Sequence, residues 1–286
     1  MLLKVADWNL DAWNQAPSAR IEYLRRLDCD LVLLQEVRRP MYEAIMESGL
    51  FSWGVLSTTL EPRAGHRRWG CAVLGRAPAS LVDAERIDAA WFPLPDALAL
   101  GLPYRTIAAR LLIDGRHPLI ACSFHARPAA GRHGMGAKKP AFHVGVARWL
   151  EHQPGPLVFG IDANTPSQEG LDPGQTRFCW PTTTGSPWGE DQLLGPDVTG
   201  RADAYRRYLA RNPARAQAHT AARPHGPLAV SHMLAKGPVR YDHLWVTDDI
   251  GVERVRYLHR SAVRAGSDHA AIVAVLDVPE AANMAA

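Results

Sequence analysis

Eight short apolar runs are spread along the chain, and any fold it adopts must bury all of them. LLKVADWNL, DLVLLQEV, CAVLGR, TIAARLLID, PLIACSF, PLVFGID, YDHLWVT and AAIVAVLDV are each of strand length and rich in branched or aromatic residues. Helical patterns alternate with some of them. Residues 18 to 28 put Ile21, Leu24 and Leu27 on one face, and residues 40 to 48, opened by Pro40 and closed by Gly49, do the same with Met41, Ile45 and Met46. Residues 140 to 152 and 201 to 212, the latter stopped by Pro213, complete the set. The pattern predicts an α/β protein with more strands than helices. No composition break suggests a linker, so residues 1 to 278 read as one domain and 279 to 286 as a flexible tail.

Composition narrows the function classes. The chain is 47% hydrophobic and 21% charged, as a soluble globular protein is, with a net charge of only +3. A balance this close to neutral neither demands nor excludes a polyanionic partner. No run approaches the roughly 18 apolar residues of a membrane span, and MLLKVADWNLDAW contains no signal-peptide core. Cys29, Cys71, Cys122 and Cys179 form no CxxC pair, and Cys29 and Cys122 lie beside core-like strands. Free buried thiols in a reducing, cytoplasmic compartment are therefore expected.

Chemistry enters where the runs end. LLKVADW leads to Asn9 and Asp11, DLVLLQ to Glu36, PLIACSF to His125, and PLVFGI to Asp162 and Asn164. YDHLWVT carries Asp242 at its head, and the last run is entered through Gly266, Ser267, Asp268 and His269. Any one of these could be a turn former or a helix cap, but acids, amides and imidazoles recur at the tips of six separate strands. Oxygen donors without thiolates suit a hard cation, Mg2+ or Mn2+. A His/Asp pair beside such an ion suits hydrolysis of a phosphate ester, the acid orienting or deprotonating water. GxSxG, Walker and HExxH motifs are absent, which removes serine hydrolase, P-loop ATPase and zinc protease readings.

WNLD at 8 to 11, LLQEV at 33 to 37, SFHARP at 123 to 128, GIDAN at 160 to 164, YDHLWV at 241 to 246 and GSDH at 266 to 269 resemble, in order, the signature of the endonuclease/exonuclease/phosphatase superfamily. That superfamily includes pancreatic-type deoxyribonuclease, exonuclease III-like abasic-site endonucleases, sphingomyelinases, inositol polyphosphate 5-phosphatases and deadenylases. The resemblance implies a four-layer α/β sandwich, two packed β-sheets flanked by helices, of the deoxyribonuclease I type. It further implies Glu36 as principal metal ligand, with Asp11 and Asp268 close to the ion or its water shell and Asn9 nearby on the substrate side. Asp162 and Asn164 would hold the attacking water and the scissile phosphate. His269 would contact a phosphate oxygen or act as acid or base, oriented by Asp242, and His125 would lie against the phosphate. Arg110 and Arg127 are candidates for supporting the substrate. Two departures stand out: His243 follows Asp242 where the family usually has tyrosine, and Ile161 separates Gly160 from Asp162. The Trp-rich segment of abasic-site enzymes has no counterpart in AVSHMLAKGPVRYDH.

The reading is a Mg2+-dependent phosphodiesterase, in first place a nuclease on DNA or RNA. The alternatives are the same chemistry on a small phosphoester, inositol phosphate or phospholipid, and a non-catalytic binding module. HARPAAGRHGMGAKKP, residues 125 to 140, offers Arg127, Arg132, Lys138 and Lys139 either to phosphates or to solvent. HRRW at 66 to 69 matches a base-stacking pattern, although Trp69 reads more readily as a core residue. Trp180 and Trp188 lie in a second long loop, from Thr165 to about Gly200.

Overall fold

The computed structural model describes residues 1–11, 13, 17–60, 69–127, 138–166, 168–178 and 189–280. In chain order its strands are β1 (Leu2–Asn9), β2 (Leu31–Val37), β3 (Trp53–Leu56), β4 (Gly70–Gly75), β5 (Ala79–Glu85), β6 (Thr106–Ile113), β7 (His117–His125), β8 (Leu157–Asp162), β9 (Arg201–Asp203), β10 (His232–Leu234), β11 (Gly237–Val239), β12 (Asp242–Thr247), β13 (Gly251–Tyr257) and β14 (Ile272–Asp277). Its helices are α1 (Pro17–Leu27), α2 (Arg39–Glu47), α3 (Lys138–Glu151), α4 (Glu190–Leu194), α5 (Ala204–Ala210), α6 (Pro213–Ala222) and α7 (His259–Arg264).

Two six-stranded sheets run β13-β14-β1-β2-β4-β3 and β5-β6-β7-β8-β12-β9, with β10 and β11 as a separate hairpin. The pairs β1/β2 and β7/β8 are parallel and the rest antiparallel. Alternation along each strand sends every second side chain between the sheets. Leu3 and Val5 of β1, Leu31 and Leu33 of β2, Ala121 of β7, Val158 of β8 and Leu244 of β12 meet there in one apolar cluster. On the outer face of the first sheet, Ala6, Trp8 and Leu34 pack under Tyr23, Leu24 and Leu27 of α1, Ile45 of α2 and Ala262 of α7. Phe124, Phe159 and Trp245 of the second sheet pack under Phe142, Val146 and Trp149 of α3 and Leu193 of α4. The result is a four-layer α/β sandwich. Where the sequence suggested one helix over 201 to 212, the structure has β9 and then α5, because the Asp203 carboxylate caps the helix by accepting from the backbone NH groups of Tyr205 and Arg206. No helix among the described residues is long and apolar enough to cross a membrane.

The inter-sheet face turns polar towards one end. After Leu3 and Val5 the same face of β1 presents Asp7 and Asn9; β7 presents Ser123 and His125; β8 presents Gly160 and Asp162. Gln35 of β2 donates from Nε2 to Asp7 Oδ1 at 2.7 Å and to Ser123 Oγ at 2.9 Å, bridging the sheets. Burial, reinforced by the charge of Asp242, pushes the fully buried Asp7 carboxyl well above the usual carboxylate range. Gly160 faces it so closely that a Cβ there would lie 2.0 Å from Asp7 Oδ1. The missing side chain at position 160 is therefore what makes room for Asp7.

A second buried polar cluster braces the start of β12. Arg240 pairs with Asp203 and, at 3.0 Å, with Glu169, and its Nη2 lies 2.9 Å from His243 Nδ1. The other nitrogen of His243 meets the carbonyl of Thr165 at 2.9 Å. This explains how a histidine follows Asp242: the ring ties a buried arginine to the turn after β8.

Gly160→Ala is expected to lower unfolding free energy by about 1–3 kcal/mol through overpacking. In Asp7→Ala/Gly160→Ala the two losses should be clearly less than additive, as urea midpoints of the single and double variants will show. Strict additivity would mean that the two positions do not share one space.

Candidate functional site

Strand ends from both sheets meet at the polar end of the sandwich. Asn9, the last residue of β1, donates from Nδ2 to Asp162 Oδ2 at 2.9 Å and accepts from the Asp11 backbone NH at its Oδ1. Asp162 Oδ1 accepts from the backbone NH of Asn164. Parallel register puts His125 opposite Asp162, and its Nε2 lies 3.4 Å from Asp162 Oδ2 and 3.5 Å from Glu36 Oε1. Antiparallel register puts Asp242 on the other side of Asp162. Both oxygens of Asp242 hold His269 Nδ1, at 2.8 and 3.0 Å.

Local backbone explains how short polar residues reach one place. β2 bulges between Leu34 and Val37, and Glu36 there has φ 54°. Asp11 and Asn164, each with φ 52°, share this left-handed conformation, which non-glycine residues adopt only where the surroundings hold it. Gly266, at φ 95°, supplies the turn before the last strand. Ser267 then donates to the Asn9 carbonyl at 2.6 Å and accepts from the His269 NH. The GSDH segment thus aims His269 inward, while Asp268 points out with its side chain 59% exposed.

Electrostatics divide the two imidazoles. Burial alone would lower the pKa of His269, but the charges of Asp242 and Asp162 and the hydrogen bond to Asp242 hold it up at about 10, so the ring is an imidazolium at neutral pH. His125 is lowered well below the usual range, first by burial and then by Arg105, His269 and Arg127. Its contacts with Glu36 and Asp162 are therefore those of a neutral ring, not ion pairs. Asp162 is raised, chiefly by burial and further by Asp242 and Glu36, against the pull of the imidazolium.

Asn9, Glu36, His125, Asp162, Asn164, Asp242 and His269 come together as the sequence suggested. Asp11 and Asp268 lie at the rim, where the buried Arg20 ties their two segments together: its Nη2 donates to the carbonyls of Asp11 and Gly266. Arg127 lies beside the cluster, donating to the Leu100 carbonyl and acting on His125 through its charge. Arg110 does not join it. Opposite Ile120 on β7, it lies five residues from His125, about 16 Å along the strand, and pairs with Glu85 and Gln153.

Arg105 stands where Arg110 was expected. It immediately precedes β6, donates from Nη1 to the His125 carbonyl at 3.2 Å and covers the Trp69 ring at 4.3 Å; burial lowers its pKa to about 9. Trp69 is half-buried in the site wall, its ring 4.9 Å from that of His125, rather than in the core. His232 of β10 stacks on His269 at 4.6 Å. Lys139 is not a solvent-facing basic residue: it is buried, paired with Glu190 at 2.6 Å, and donates to the Asn164 carbonyl. Arg67, Arg68, Arg132, Cys179, Trp180, Trp188 and the end of the tail from residue 281 lie outside the described residues, while Cys29, Cys71 and Cys122 are free and buried.

Among the described residues, two groups have the spacing to grip a cation, Asp162–Asp242–His269 and His232–Asp268–His269. Both contain the imidazolium, whose Nδ1 is committed to Asp242, so neither is a natural cage. Glu36 is mostly buried, its side chain 18% exposed, and faces Asp162 across the His125 nitrogen. Crowding of Glu36, Asp162 and Asp242 is what a cation bound at Glu36 would relieve, and an oxygen-donor set there fits a hard divalent ion.

The model of the "Endonuclease/Exonuclease/phosphatase family" matches residues 8–269. No curated protein sequence matches the chain. Among solved structures, D. rerio TDP2 complexed with single strand DNA product is 13% identical with TM-score 0.63, over 96% of this chain and 99% of that one. The endonuclease/exonuclease/phosphatase from Bacteroides vulgatus is 13% identical with TM-score 0.64, over 98% and 100%. The human Nocturnin catalytic domain with bound sulfate is 17% identical with TM-score 0.62, over 97% and 94%. At these identities the likeness extends to the fold.

In metal-free protein, NMR titration of His269 is expected to give a pKa near 10, falling clearly in Asp242→Asn, where the largest raising charge is gone and burial is opposed chiefly by Asp162. A folded-state pKa raised above the unfolded value adds stability that is complete below pH 6.5 and lost as pH rises through about 10. The native chain should therefore weaken across that window relative to the variant. An unmoved His269 titration would refute the pairing.

Proposed function

The chain belongs to the endonuclease/exonuclease/phosphatase family, and from that premise we propose that it is a divalent-metal-dependent phosphodiesterase acting on a nucleic-acid strand, with Mg2+ or Mn2+ as the ion. One observation carries the reading: a buried imidazolium, His269 held by both oxygens of Asp242, faces a buried carboxylate, Asp162, whose affinity for a proton is raised.

Such a pair handles both charges of a phosphoryl displacement. Asn9 Nδ2 and the Asn164 NH fix the Asp162 carboxylate, so that it can orient a water molecule and take its proton as the water oxygen bonds to phosphorus and the bond to the leaving oxygen breaks. A raised pKa makes Asp162 a better base at neutral pH than an ordinary carboxylate. Negative charge gathering on the phosphoryl oxygens meets the His269 imidazolium on one side and the neutral His125 on the other. Arg105, under Trp69, keeps a fixed positive charge behind His125. Glu36 would hold the ion, with Asp11 and Asp268 at its water shell; when bound, the ion neutralises charge on the phosphate and the leaving oxygen.

A nucleic-acid substrate is favoured by the resemblance in fold to TDP2 complexed with a single strand DNA product and by the half-buried Trp69 ring beside His125, backed by the Arg105 guanidinium. The test is cleavage of supercoiled plasmid, single-stranded DNA, RNA and a chromogenic phosphodiester in Mg2+ or EDTA. The expected result is Mg2+-dependent strand cleavage that falls by about 10²–10⁴-fold in Asp162→Asn and comparably in His269→Ala, with unchanged circular dichroism. Full turnover in either variant would refute the roles. Cleavage confined to the chromogenic ester would transfer the chemistry to a small phosphoester.

A further inference from the structure

An open groove of about 940 Å³ lies next to the catalytic end, and its lining contains Arg215, Arg223, Arg256, Arg260 and Arg264 but no Asp or Glu. None of the five has a carboxylate partner among the described residues: Arg215 donates to the Tyr208 hydroxyl, and Arg223 lies against His219 Nδ1. Several arginines elsewhere on the surface are neutralised, as Arg25 is by Glu22, Arg39 by Glu43 and Arg211 by Glu253. In a chain whose net charge is only +3, five uncompensated guanidinium groups in one groove are a local segregation of charge.

The spacing strengthens the case. Arg260 and Arg264 are four residues apart on α7, two like charges on one face without an interleaved acid, and Arg215 and Arg223 flank His219, whose pKa burial and these two arginines lower, along and just past α6. Like charges so placed repel and disfavour the helix; the arrangement is a cost unless an anion joins them. Exposed Arg256 of β13 completes the wall.

The groove communicates with the site. Tyr257 on its floor donates its hydroxyl to the Asp242 carbonyl at 2.9 Å, and Met233 on its rim follows His232, whose ring stacks on His269. His259, also lining it, feels the charges of His232, His269 and Asp242. A small phosphoester bound at Asp162 and His269 would leave these arginines unused, whereas a polynucleotide strand carries a charge about every 3.4 Å. Resting on the phosphodiesterase reading for its purpose, we infer that this groove is an anion-binding subsite that takes the flanking phosphates of a nucleic-acid strand whose scissile phosphate lies against Asp162 and His269.

The test is fluorescence anisotropy of a labelled oligothymidylate in EDTA, as a function of salt, with native protein, with Arg256→Gln/Arg260→Gln/Arg264→Gln, and with Arg25→Gln/Arg26→Gln/Arg39→Gln as a control of equal charge change. All six arginines are exposed, so both variants should fold. The groove variant should lose about tenfold or more in affinity, and its slope of log K against log salt should shrink by about 2, the share of three phosphate contacts on a single strand. The control should bind as the native chain does. Equal losses in the two triple variants, or an unchanged salt slope in the groove variant, would overturn the inference. Binding of phosphatidylserine-containing vesicles but not of oligothymidylate would also overturn it. Hydrolysis of the chromogenic diester by native protein in Mg2+ is measured separately. Groove-dependent strand binding in a chain that hydrolyses nothing would uphold the subsite and sink only the catalytic reading.

Discussion

Both sheets depend on burying carboxylates and imidazoles in the space that elsewhere holds Leu3, Val5 and Leu33. An isolated charge there would be prohibitive, so each group arrives with a partner: Asp162 with Asn9 and the Asn164 NH, His269 with both oxygens of Asp242. Those partners come from different strands, so the registers of β1, β8, β12 and the segment entering β14 are mutually constrained. Sliding any one strand by a residue would turn its polar tip out and send an apolar side chain into the polar layer. Asp7, with Gln35, Ser123 and the bare Gly160, forms a transition layer where the apolar core gives way to the site.

The turn after β8 has its own bracing. Lys139 reaches from α3 to the Asn164 carbonyl, the Thr165 hydroxyl donates to Glu190, and His243 meets the Thr165 carbonyl with Arg240 behind it. Two buried charge clusters, one centred on Glu190 and one on Arg240, thus clamp the backbone that positions Asn164 in its left-handed conformation. The placement of Asp162 and Asn164 therefore rests on residues outside the polar cluster itself, and His243 makes sense in that setting as a structural tie.

How much of this was readable in the chain follows burial. The eight apolar runs are the eight interior strands, while β3, β5, β9 and β13, absent from the sequence reading, are the four sheet edges. An edge strand is covered on fewer sides, so β5 and β13 carry exposed polar residues and lack the apolar continuity that marks an inner strand. Short α4 and α7 and the alanine-rich, largely exposed α6 have too little apolar periodicity to announce themselves. Site residues on strand tips were legible because acids are out of place beside apolar runs. Arg105 was missed because it precedes its strand, although the antiparallel pairing of β6 with β7 makes the start of β6 face the same end as His125. His232 comes from outside the long apolar runs and leaves no sequence signal, whereas Trp69 was marked by the HRRW pattern although nothing in it pointed to His125.

His125 and His269 lie in the same polar layer yet differ in charge, and burial does not distinguish them, since it lowers both. The difference lies in their neighbours. Asp242 gives both oxygens to His269 and has no other side-chain hydrogen-bond donor on them among the described residues, whereas the carboxylates near His125 are shared: Asp162 already accepts from Asn9 and Asn164. On its other side His125 meets the charges of Arg105 and Arg127, which oppose a second cation. A neutral ring and an imidazolium can therefore flank one phosphoryl group, so that one side offers a hydrogen bond and the other a full positive charge. That asymmetry is set by which carboxylate is exclusive and which is shared, and it would persist in any sequence that kept Asp242 for His269 alone.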